Sequence, residues 1–212
     1  MPRWLWITLV CAVLALFWAA GDHGESPTPA TGPGGRLACP PMPAPGRLGT
    51  PLQADVDAPG VYDFRGHRLR PLAGFALEAR VLGREDYRFD REATLSPTDL
   101  ALGWDRMADP DVYRRLDISQ GGRWYHYRWD AGGPPIPLPE IIRSSANMHL
   151  VPADASVAGA IERVRPDQTV RLRGWLVEVE HPEGWRWRSS TSREDSGDGA
   201  CELIYVCELS SY

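Results

Sequence analysis

Thr169 to Glu180, T-V-R-L-R-G-W-L-V-E-V-E, is the longest strand pattern in the chain, and it restricts what the rest can become. Apolar and charged residues alternate at period two, an arrangement that only an extended segment with one buried face can use. The apolar phase slips at Gly174, so the pattern predicts a bulge there. Phe75 to Leu82 alternates in the same way, and Val61 to Phe64 reads as a short edge strand. Ile118 to Gln120 and Arg123 to Trp129 flank Gly121-Gly122, whose freedom to take positive φ predicts a hairpin. His181 to Gly184 turns the chain into Trp185 to Ser190, and Ala200 to Leu209 reads as a last strand.

Helix signals are few and local. Ser96-Pro97-Thr98-Asp99 matches a capping-box start, with Pro97 at the first helical position. Asp109-Pro110 repeats the signal before Val112 to Leu116. Asp154 or Ser156 can cap a helix with Val157, Ala160, Ile161 and Val164 on one face. Four prolines between Pro134 and Pro139 predict an extended polyproline crossing. Ile141 to Asp154 then fits no simple amphipathic pattern and reads as a structured passage between two halves. The expected class is α+β, mainly antiparallel strands in a small barrel or coiled sheet, with two or three short helices.

The N-terminus is of another kind. Arg3 precedes an uncharged apolar run from Trp4 to Ala20, and Asp22 and Glu25 follow it. That asymmetry is the mark of an export signal that leaves the C-terminus outside. Ala19-Ala20-Gly21 offers a cleavage site, whereas Trp4, Trp6 and Trp18 at the two ends resemble the interfacial belt of an uncleaved anchor. Residues 22 to 51 hold eight prolines and six glycines in thirty positions and have little to bury. The expected organisation is therefore a signal peptide or anchor over 1–21, a Pro/Gly-rich tether over 22–59 and one globular domain over 60–212. The domain is placed in the periplasm, held to the inner membrane through residues 4–20 or released if the signal is cleaved. A net charge of −5 argues against nucleic acid as a partner.

Three runs carry a resemblance: Asp99 to Trp104 (D-L-A-L-G-W), Ser145 to Ala153 (S-A-N-M-H-L-V-P-A) and Arg193 to Glu202 (R-E-D-S-G-D-G-A-C-E). Together they resemble a group of bacterial envelope proteins with no established activity, over roughly residues 75 to 209. The resemblance implies a shared fold and a set of positions, not a reaction.

Catalytic candidates cluster in two of those runs. His149 could act as a general base with Ser145 and Asn147 nearby, although neither Ser144 nor Ser145 stands in a G-x-S-x-G elbow. The alternative is that Asn147 and His149 satisfy backbone groups in a stretch without a regular ladder. Asp195 and Asp198 could hold a cation, but their spacing departs from the calcium-loop pattern, and a glycine-rich turn explains them as well. No metal site and no cofactor are expected. Cys201 and Cys207 lie too far apart on one strand to bridge each other. Cys39 could reach either, while both as buried small apolar groups is the simpler expectation.

A surface is the third candidate. A four-residue turn at His181 to Gly184 would set Val179 opposite Arg186 and Val177 opposite Arg188. Arg171, Arg173, Trp175, Arg186 and Arg188 would then share one face, suited to an anionic ligand or an envelope protein. The sequence thus supports a tethered binding module using that Arg/Trp face, with a periplasmic hydrolase using His149 and the Asp195 loop as the alternative. A reporter fused after Tyr212 is expected to be active outside the cytoplasm and silent within it; activity confined to the cytoplasm would refute the export reading.

Overall fold

The computed structural model describes residues 37–55, 60–195 and 200–212. The expected anchor, residues 22–36 of the expected tether and Asp198 lie outside the described residues. Among those described, no helix is long and apolar enough to cross a membrane.

Strands β1 (Leu52–Ala54), β2 (Tyr62–Phe64) and β3 (His67–Asp86) open the domain. Arg65 and Gly66 take positive φ (50° and 78°), so β2 folds directly back on β3 with Phe64 opposite His67. β3 is twenty residues long and organises the sheet. One of its edges meets β2, then β1, then β4 (Thr98–Gly103). Its other edge pairs antiparallel with β8 (Thr169–Glu180), from Arg68 to Arg80. A register shift between Pro71 and Ala73 lets β3 keep that pairing past a proline that has no amide to donate.

β4 pairs antiparallel with β7 (Ser145–Pro152), and β7 lies parallel to the first half of β10 (Glu202–Ser211). β10 pairs antiparallel with β8, so the chain of neighbours that leaves β3 through β4 returns to it through β8. β9 (Arg186–Arg188) adds to the edge of β8. β5 (Asp117–Gly121) and β6 (Trp124–Arg128) form a separate hairpin. The domain is strand-rich, with a mixed sheet in which only the β7–β10 pair is parallel among the described strands.

Three short helices complete it. α1 (Pro110–Tyr113) is capped by Asp109, which accepts from the Asp111 amide at 2.9 Å. α2 (Leu138–Arg143) begins within the proline run, so the expected crossing turns helical where prolines suit a first turn. α3 (Ala155–Glu162) is capped by Asp154 and sends Val157 and Ile161 into the main core, beside Phe75, Leu100, Leu150, Leu172 and Ile204. A second core on the other side gathers Leu37, Phe64, Val151, Trp175, Val179 and Tyr205.

Several expectations change. Ser96 starts no helix: Thr98 to Gly103 is a strand buried at every position, because pairing with β3 and β7 outweighs a local cap. Ile141 to Asp154 is the end of α2 followed by β7, with a ladder on both sides, rather than an irregular passage. The domain also begins earlier than residue 60. Leu37 is buried, the Trp175 indole donates to Ala38 O at 2.8 Å, β1 joins the sheet, and Cys39 is bonded to Cys207 across a Cα separation of 5.7 Å. A segment poor in aliphatic residues is ordered here by a cross-link and one buried leucine.

The irregularity expected at Gly174 lies on its partner. Gly174 stays in register with both neighbours, while β10 carries the extra residue between Val206 and Glu208. The bulge presses backbone onto the glycine: a Cβ there would overlap Tyr205 O and stand 3.0 Å from Tyr205 C. Gly174→Val is therefore expected to destabilise by at least about 2 kcal/mol, read as a fall of several degrees in the thermal midpoint. An unchanged midpoint would refute the close approach.

Candidate ligand cavity

The β5–β6 hairpin turns on Gly122 (φ 59°) and Arg123 (φ 71°), one residue later than the glycine pair suggests. A left-handed arginine is costly unless its surroundings hold it. Here they do. The Arg123 guanidinium donates to both Asp90 oxygens (2.9 and 2.7 Å), to Ser96 O (2.9 Å) and to Asp99 Oδ1 (2.9 Å), and it lies 3.8 Å from the Tyr87 ring centroid. Burial acts to lower its pKa, but Asp90 and Asp99 outweigh that and raise it.

Asp99 on β4 is fully buried and stands opposite His149 on β7. Its Oδ2 accepts from Asn147 Nδ2 at 3.0 Å. The Asn147 amide also donates to Arg123 O (3.2 Å) and accepts from Gln120 Nε2 (2.8 Å). His149 Nδ1 lies 2.9 Å from Asp99 Oδ2, yet off the angle of a hydrogen bond, and the ring packs against Trp187 at 4.7 Å between centroids. Asn147 thus serves a backbone carbonyl, as expected from the sequence, and the Asp99 carboxylate as well, whereas His149 lies beside Asp99.

Between the hairpin, the start of β7 and the segment leading into β10 lies a cavity of about 470 Å³. Trp104, Trp124, Tyr125, His126 and Tyr127 are its ring-bearing lining residues, and Arg128, Arg193, Asp195 and Glu202 its charged ones. Ser145 and Asn147 line it as well; His149 does not. Ser145 Oγ donates to Ile141 O at 2.8 Å and has Tyr125 OH at 3.5 Å. Among the described residues no hydrogen bond joins Ser145 to His149. Asp195, exposed, accepts from Ser190 Oγ at 2.6 Å. Three of the four catalytic candidates therefore meet at one cavity, without the histidine that would activate them. Nor do the described residues gather three or more metal-ligating side chains.

The Arg/Trp face does not assemble as expected. His181 N donates to Trp185 O, so the turn holds five residues, and Arg186 and Arg188 pair with Glu180 and Glu178 rather than with valines. One residue of slip sends them to the opposite face from Trp175. Every arginine of the set meets a carboxylate: Arg171 with buried Glu78, Arg173 with Glu208 (2.6 Å), Arg186 with Glu180 (3.6 Å) and Arg188 with Glu178. Trp175 is buried in the second core.

Glu202 was not singled out in the sequence. It opens β10 opposite Met148, 1 % exposed, with Oε1 2.9 Å from Arg193 Nη1. Burial pushes its carboxyl up to about 7, Arg193 pulls against that, and Asp195 adds to the rise. The signal was one acid at the head of the apolar run Leu203 to Val206. Burial first, then Glu202 and Asp99, push the thiol of Cys201 beside it up to about 12. Comparison with known protein families, with curated proteins and with solved structures finds no match.

A carboxyl held near 7 in the fold but near 4.5 in the unfolded chain binds its proton more tightly when folded. Its contribution is complete below about pH 4.5 and is lost as pH rises through 7. The thermal midpoint of the parent is expected to fall between pH 5 and 7.5 relative to that of Glu202→Gln. Parallel pH profiles for the two proteins would show that Glu202 does not titrate in this window.

Proposed function

We propose that this chain is an exported binding module of the bacterial envelope. Its ligand is a small molecule held in the cavity beneath the β5–β6 hairpin, on a small barrel formed by β3, β4, β7, β10 and β8. The observation that carries this reading is the cavity itself: its volume falls in the roughly 300–1,000 Å³ range of small-molecule sites, and it combines ring walls with a few convergent polar groups. The closed circuit of strand pairings supports the barrel. The Cys39–Cys207 bond supports an oxidising compartment, in line with the N-terminal export pattern and the inner-membrane attachment expected through residues 4–20.

The binding role moves from the Arg/Trp face to the cavity because the arginines of that face are already neutralised by their own carboxylates. An enzymatic reading would rest on Glu202 as an acid rather than on His149, since Glu202 lines the cavity and His149 does not.

Thermal-shift and tryptophan-fluorescence screening of the purified chain against neutral sugars, amines, small acids and planar heterocycles tests the proposal. At least one class is expected to bind saturably, and Trp124→Ala, altering a ring 37 % exposed, should abolish that binding without changing the unliganded midpoint. No saturable binding from any class, or binding indifferent to Trp124→Ala, would overturn it.

A further inference from the structure

We infer that the ligand of the cavity is a neutral polyhydroxylated ring, a sugar residue, received by Trp104 Nε1 and Glu202 Oε2. This inference rests on the small-molecule reading above and names its chemistry.

Three residues that line the cavity carry a buried polar atom without a hydrogen bond: Trp104, Glu202 and Arg193. Arg193 Nη1 is ion-paired with Glu202 Oε1 at 2.9 Å, which leaves two with neither kind of partner. Trp104 follows β4, is 1 % exposed, and its indole N–H has no acceptor. Glu202, also 1 % exposed, engages Arg193 through Oε1, and its Oε2 has no donor. Buried groups of this kind are rare, and each unmet one costs about 1–3 kcal/mol. The two are opposite in kind, one donor and one acceptor. A ligand with several hydroxyls answers both, because each hydroxyl can donate or accept. A carboxylate ligand could satisfy the indole but would meet Glu202 as a like charge. An ammonium could satisfy Glu202 but offers nothing to the indole N–H.

The charges of the lining agree. Arg128 and Arg193 stand against Asp195 and Glu202, two of each sign, so the cavity has no formal bias toward an ion. Tyr125 and Tyr127 are 5.4 Å apart and tilted by 48°, too close for a ligand ring to enter between them, so a ligand meets one ring face at a time. A single aromatic face is what the C–H surface of a sugar needs.

The test titrates the purified full-length chain with methyl β-glucoside, methyl β-galactoside and methyl β-N-acetylglucosaminide, following tryptophan fluorescence and calorimetric heat. Tetramethylammonium chloride, inorganic phosphate and adenine serve as comparators. A neutral glycoside is expected to saturate, and the comparators are not. Glu202→Gln keeps the shape and loses the charge; Trp104→Phe keeps a ring and loses the donor. Each should weaken glycoside binding roughly tenfold or more, the loss of one charge-assisted or buried hydrogen bond. Trp104 is a core residue, so Glu202→Gln carries the decision if Trp104→Phe fails to fold. Glycoside binding unaltered in the folded variants overturns the assignment of these two atoms. Saturation by a comparator while the glycosides fail overturns the sugar class and leaves the small-molecule reading standing. Silence from every probe overturns both.

Discussion

Asp99 is the group on which the arrangement turns. It is the second residue of β4, has no exposed surface, lies between a strand on either side, and its two oxygens reach Arg123 and Asn147. Buried ion pairs are not dependable sources of net stability, because desolvation offsets much of the attraction. Their asymmetry matters more. Removing one partner leaves the other charge uncompensated, at about 3–5 kcal/mol. Asp99 therefore specifies as much as it stabilises: only with Arg123 turned inward are the buried carboxylate, Asp90 and the hairpin satisfied together. The hairpin is separate from the main sheet, and side chains rather than a ladder tie it there: Arg123 to Asp99, Gln120 to Asn147 and Tyr125 to Ser145. The wall of the cavity stands in part because the arginine of the turn is held.

The cavity's other wall has a different origin. β10 begins at Glu202 in parallel register with β7, and a parallel neighbour requires a long crossover, here α3, β8 and β9. That crossover brings Ser192 to Asp195 over the head of β10, beside the first residues of β7. Residues far apart in the chain thus meet at one end of a strand pair. Glu202 is buried there because the strand that carries it is central, and its ion pair with Arg193 comes from the segment that covers it.

The strand framework was largely legible. Period-two patterns marked β8, β6 and part of β3, and Asp109 and Asp154 marked the helices they cap. The failures share one cause: local chemistry was read where distant partners decide. Ser96-Pro97-Thr98-Asp99 is a sound cap signal overridden by two neighbouring strands. Gly174 was right as an anomaly, but the extra residue sits on β10, which no inspection of β8 can reveal. A single residue in the β8–β9 turn moved Arg186 and Arg188 to the other face. At the site, Ser145, Asn147 and Asp195 were found from their polar chemistry, whereas Trp104, Arg123 and Glu202 matter only through what the fold places against them.

The bond between Cys39 and Cys207 spans 168 positions, so most of the described domain lies inside one covalent ring. Closing a loop of that length removes chain entropy from the unfolded state worth about 5 kcal/mol in the simplest treatment. The same bond holds Leu37 and Ala38 over Trp175, next to the β10 bulge that Gly174 accommodates. Oxidation and packing are therefore coupled at one spot. A cut in any surface loop between the two cysteines leaves the fragments joined until a reductant is added. In a reducing compartment the ring opens, and the N-terminal segment loses the link that fixes it to the sheet. Where the chain is made and kept thus bears on how tightly it is closed, independently of anything it binds.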